Sequence, residues 1–170
     1  MFSNIIRIII IAFLFLSPAL PLTLSPLPCF SQTEKTFKTK YSVIHFSDDK
    51  DLNDFLWRIG GKRFDYSTNP NFAKARVDRI IKRVQDILEM YPKNFSVNIY
   101  LRRGNLEINK VAYYENKTHS IFVSVDNVSD GVFAHETAHA VIYKYFPKPP
   151  SSIAQEVLTQ YVDKNLWSDY

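Results

Sequence analysis

The hydrophobic spacing divides the chain into an apolar leader, a middle that switches between strand and helix periods, and two helices separated by prolines. Tyr41-Ser-Val-Ile-His-Phe46 alternates at period two and predicts a strand. Leu52, Phe55, Leu56 and Ile59 then recur at the spacing of one helix face, with Ser47 as cap and Gly60-Gly61 as stop. After a loop from Arg63 to Asn69, a longer helix is expected from about Asn71 to Tyr91. Its core face would carry Val77, Ile80, Ile81, Val84, Ile87, Leu88 and Tyr91. Phe95, Val97, Ile99 and Leu101 alternate with polar partners as a half-buried strand. Two more strands, near Val111–Glu115 and His119–Val125, form a hairpin through Asn116-Lys-Thr118. Gln32 to Lys40 is polar and is expected to be a linker. The order βα, α, βββ, αα predicts the α+β class, a small mixed sheet packed on helices.

The last two helices carry the chemistry. Ala134, Ala138, Val141, Ile142 and Tyr145 make an apolar stripe at helical spacing, with Asn127 or Ser129 as N-cap. At the edge of that stripe, residues 135–139 read His-Glu-Thr-Ala-His. Positions i and i+4 share a helix face, so His135 and His139 can aim two imidazole nitrogens at one point. Glu136 sits about 100° round the helix from His135, where it can take a proton from a water without being a ligand. Neutral His nitrogen is a zinc ligand, and a catalytic site needs a third protein ligand beside its water. Pro147-Lys-Pro149-Pro150 ends the helix. Ser151 and Ser152 are N-cap candidates for the next one, with Gln155 completing a capping box from Ser152. Its apolar face is expected at Ile153, Ala154, Val157, Leu158, Tyr161 and Val162, with Glu156 opposite beside Ser152, Thr159, Gln160 and Asp163. Glu156 is the candidate third ligand and Asp163 the alternative. His45 and His119 read as structural residues.

HETAH followed by a helix bearing Glu156, with sixteen residues between His139 and Glu156, resembles the gluzincin branch of the zincin metallopeptidases. The resemblance covers roughly Val111 to Trp167. It implies a zincin-like fold, one Zn2+ ion held by His135, His139 and Glu156, and Glu136 as general base. It also implies a peptide or protein substrate lying along an edge strand, for which His119–Val125 is the expected strand. The Gly and His that extend the motif in metzincins do not follow His139. Two departures stand out. Gln160 occupies the place where gluzincins often carry an acidic residue against a ligand histidine, and Asp163 is the candidate substitute. Fourteen residues follow Glu156, so no second lobe is expected, and the cleft would be open or completed by a partner chain. Tyr161, Tyr113, Tyr114 and His119 are then the available oxyanion donors. A non-catalytic zinc-binding domain acting in protein–protein interaction is the alternative, and Glu136 argues against it, because a structural site needs no base.

The remaining composition places the protein. Arg7 followed by the apolar run Ile8 to Leu16 fits a secretory signal peptide, with a cut expected after Ser31. Pro18, Pro21, Pro26 and Pro28 oppose an uninterrupted span, and an uncleaved membrane anchor over residues 5–27 is the alternative. Cys29 raises lipidation, for which Pro28 is a poor neighbour. The expected organisation is a signal peptide at 1–31, a linker at 32–40 and one domain at 41–170, secreted or otherwise extracytoplasmic. Beyond residue 31 no cysteine remains, so the domain depends on its core rather than on disulfides. Removing Arg7 leaves 20 basic against 17 acidic residues, a net +3, too mild for a nucleic-acid partner. The run Lys74, Arg76, Arg79, Lys82 and Arg83 reads as a solvated helix face.

Overall fold

A computed structural model describes residues 34–106 and 110–168, and the expected signal peptide lies outside them. Five strands and four helices follow one another as β1 (Lys35–Lys38), β2 (Ser42–Phe46), α1 (Asp49–Arg58), α2 (Pro70–Leu88), β3 (Val97–Arg102), β4 (Ala112–Glu115), β5 (Ser120–Ser124), α3 (Asp130–Tyr145) and α4 (Ser152–Asn165). The arrangement is α+β with a mixed sheet, as the periodicities predict.

The strands lie in the order β1-β2-β3-β5-β4. β2, β3 and β5 run parallel, while β1 and β4 pair antiparallel at the two edges. Parallel neighbours need a crossover, and α1 with α2 supplies the one between β2 and β3. One face of the sheet buries Ile44, Phe46, Val97, Ile99, Leu101, Ile121 and Val123 under the helices. The opposite face carries a row of rings, His45, Tyr100, Phe122 and Tyr113, stacked strand to strand at 4.4, 5.1 and 4.9 Å between centroids. α1 packs on β2 and β3, α3 on β4 and β5, α2 against α1 and α3, and α4 against α3 and α2.

Several expectations are corrected. Lys35–Lys38, within the expected linker, is an edge strand paired with β2. α1 is capped by Asp48, which accepts from Lys50 N, and not by Ser47. α2 starts at Pro70 behind the Asn69 cap and stops when Glu89 turns left-handed, so Tyr91 lies outside it and is exposed. β5, the expected substrate edge, is interior, and the edge beside α3 is β4. The expected apolar face of α4 holds only in part, with Val162 buried and Ala154 and Leu158 half-buried. Ile153, Val157 and Tyr161 are 78%, 61% and 53% exposed, whereas Gln155, Thr159, Val162 and Leu166 are buried. The buried polar pair is satisfied locally: Gln155 donates to Pro150 O, and Thr159 donates to Glu156 O.

Candidate metal centre

α3 begins where Ser129, one of the two expected caps, accepts from Val132 N, with Asp130 in the first turn to complement the helix dipole. Phe133, Ala134, Thr137, Ala138, Ala140, Val141 and Ile142 are buried, so the helix is wedged into the core and its histidines are fixed by packing. His135 and His139 lie half-buried along its edge, one turn apart, with ring centroids 5.2 Å apart.

α4 brings the third group. The Pro147–Pro150 break turns the chain, and Ser151 caps α4 by accepting from Ala154 N. Glu156 Oε1 then lies 3.4 Å from His139 Nε2, and Glu156 Oε2 lies 3.7 Å from His135 Nε2. His135, His139 and Glu156 each offer one ligand atom, and these atoms lie within 4.8 Å of one another. Zinc bonds of about 2.0–2.2 Å at tetrahedral angles separate neighbouring donors by roughly 3.4 Å. Two imidazoles and one carboxylate grouped this closely could hold a metal ion.

Asp163 lies behind the His135 ring and not with the three grouped ligand atoms. Its Oδ2 is 3.0 Å from His135 Nδ1, on the side of the ring away from Glu156. A carboxylate there holds the Nδ1–H tautomer and leaves the Nε2 lone pair free for a metal. Asp163 thus stands where the sequence offers it in place of an acidic residue at position 160, and Gln160 is exposed.

Glu136 is half-buried next to this cluster, and its Oε2 accepts from the Tyr114 backbone N–H at 2.8 Å. Burial raises its pKa above the usual carboxylate range, against the lowering influence of His135 and of the Tyr114 bond. Burial lowers the pKa of His139, which keeps its ring neutral and able to ligate. A cleft of about 390 Å³ opens beside these groups, bounded by β4, α3 and α4.

The expected oxyanion donors divide. Tyr161 is exposed and Tyr113 stacks on Phe122 on the far face of the sheet. The Tyr114 hydroxyl is engaged with His119 Nδ1 at 2.7 Å, which also accounts for His119 as a structural residue. His45 lies on β2 with Tyr100 and Asn98, away from the cleft. Tyr143 lines the cleft and was not among the candidates. Its hydroxyl accepts from Asn116 Nδ2 at 3.3 Å and keeps its own proton to donate. The signal for it was present: Tyr143 follows His139 by one turn on the same helix face, continuing the 135–139 spacing.

The chain matches no protein-family model, no curated protein and no solved structure, so the chemistry of this site rests on its own geometry.

Proposed function

We propose that this protein is a zinc-dependent peptidase of gluzincin type, hydrolysing peptide bonds in the cleft between β4, α3 and α4. The observation that carries the reading is the convergence of the two Nε2 atoms on the two oxygens of Glu156, with Glu136 alongside and not within the cluster. A site meant only to hold a metal has no use for a half-buried carboxylate beside it.

In this reading His135 and His139 hold the ion through Nε2 and Glu156 completes the set. Bound zinc lowers the pKa of a ligated water toward about 7 and polarises a carbonyl. Asp163 keeps the His135 ring oriented. Glu136 has Oε2 fixed by the Tyr114 N–H and uses Oε1 to take the proton from the attacking water, then returns it to the leaving amine. Its raised pKa makes it a better base when ionised. An extended substrate would lie along the cleft beside β4, whose outer Tyr114 N–H is already engaged by Glu136. Export, directed by residues 1–31, belongs to the same proposal. Among the described residues, no helix is long and apolar enough to cross a membrane.

The test is hydrolysis of an unstructured protein such as casein by the zinc-loaded chain and by Glu136→Gln. Loss of roughly 100- to 10,000-fold in the variant, with zinc retained, is expected for a general base. Equal activity in the variant would remove Glu136 from the mechanism.

A further inference from the structure

Tyr114 holds two partners at once, and both bear on Glu136. Ser124 N donates to Val111 O at 2.8 Å. In an antiparallel pair the backbone groups alternate in direction, so those of residues 111, 113 and 115 face β5 and those of 112 and 114 face the open edge. The Tyr114 N–H thus points out of the sheet, and it meets Glu136 Oε2 at 2.8 Å. β4 is only four residues long and pairs on one side. Its ladder alone is a weak support for a catalytic oxygen.

The Tyr114 side chain supplies a second anchor. Its hydroxyl lies 2.7 Å from His119 Nδ1, and its ring packs against Tyr143 of α3. His119 is itself fixed. Its backbone lies in the left-handed region at φ 50°, its carbonyl accepts from Asn98 N of β3 at 3.2 Å, and Phe95 packs edge-on against its ring. Burial disfavours the charged forms of both groups, pushing Tyr114 up and His119 down, so the bond between them is a neutral O–H···N contact.

We propose that Tyr114 and His119 form a positioning pair for Glu136. His119, tied to β3, holds the Tyr114 hydroxyl; Tyr114 in turn presents its backbone N–H to Oε2 and leaves Oε1 to face the cleft. The inference rests on the reading of Glu136 as general base, and its test has a readout that does not.

The experiment compares the full chain with Tyr114→Phe, His119→Ala and His119→Asn. It follows exchange of the Tyr114 amide hydrogen by NMR, and kcat and KM on casein. Asn tolerates the left-handed backbone and places its Oδ1 where His119 has Nδ1. In the wild-type chain the Tyr114 amide is expected to exchange slowly although it lies on an open edge. Tyr114→Phe and His119→Ala should lower that protection and kcat together, by roughly 3- to 10-fold for one lost hydrogen bond, with KM and zinc content unchanged. His119→Asn should restore most of both. A rapidly exchanging wild-type amide overturns the pair, as do Tyr114→Phe values within twofold of wild type. His119→Asn failing as badly as His119→Ala also overturns it. If Tyr114→Phe does not fold, the two His119 variants decide. If the wild-type chain binds zinc and hydrolyses nothing, the peptidase reading fails while the amide still decides the pair.

Discussion

α3 and α4 both supply groups to the candidate centre, and they are held in opposite ways. α3 buries seven residues between the sheet and its neighbours, so His135, Glu136 and His139 are set by packing. α4 buries three, and its apolar row Ile153, Val157 and Tyr161 faces outward. At its far end Val162 and Leu166 reach the core, and polar contacts add to them. Trp167 Nε1 donates to Asp130 Oδ2 at 3.0 Å, and Arg83 donates to the carbonyls of Leu166 and Asn165 at 3.1 Å each. Polar contacts near solvent are individually weak, about 0.5–1.5 kcal/mol net. The proposed base and two of the proposed ligands are therefore built into the core, while Glu156 and Asp163 ride on a helix with fewer buried residues.

The largest expected contrast is in stability. Phe133→Ala empties a fully buried site packed edge-on against Phe55, at a cost of about 3–5 kcal/mol. Urea unfolding should show that loss across the whole domain, not in α3 alone. On the α4 side, Trp167→Phe keeps a ring and removes the bond to Asp130. It should cost about 1 kcal/mol or less, and faster amide exchange in the last turn of α4 should accompany a weaker zinc affinity. A global loss as large as that of Phe133→Ala would erase the distinction between the two helices.

The smallest effect is a pH dependence. Burial raises the pKa of Glu136 in the folded state above its ordinary value of 4.5. In the window between those values the folded chain binds more protons than the unfolded one, so this group's contribution to stability falls as pH rises. Glu136→Gln lacks that loss. The metal-free variant should match wild type below the ordinary carboxylate range and be the more stable of the two at neutral pH, as thermal unfolding across the pH range would show. A wild-type advantage at pH 7 would mean that the ionised carboxylate is well supported where it sits.

What could be read from the sequence follows the same division. α3 was legible because Ala134, Ala138, Val141 and Ile142 of its expected stripe are buried, though Tyr145 is exposed, and because an i, i+4 pair of histidines fixes its own geometry on a helix. α4 was legible as a helix but only partly in its orientation. Its buried face holds Val162, as expected, together with Gln155 and Thr159, whose polar atoms are satisfied by Pro150 O and Glu156 O, while Ile153, Val157 and Tyr161 lie in solvent. Period alone cannot anticipate that rotation of the face. β1 was missed because Lys35-Thr-Phe-Lys38 has no buried face to leave a pattern, being exposed or half-exposed throughout. Strand order is likewise silent in a linear chain, which is why β5 was taken for the edge that β4 forms. Glu156 could be proposed from its place on the second helix, but the choice between it and Asp163 depended on which atoms meet which side of the His135 ring.

The central claim is that His135, His139 and Glu156 form a zinc site, with Asp163 supporting one ligand from behind. Calorimetric titration of the metal-free chain with zinc tests it most directly, alongside Glu156→Ala and Asp163→Asn. One equivalent should bind to the wild-type chain. Asp163→Asn should keep that stoichiometry at an affinity lower by roughly 10- to 100-fold, the usual cost of losing a partner behind a ligand, and Glu156→Ala should lose more. No zinc uptake by the wild-type chain, or an Asp163→Asn loss exceeding that of Glu156→Ala, would contradict the account.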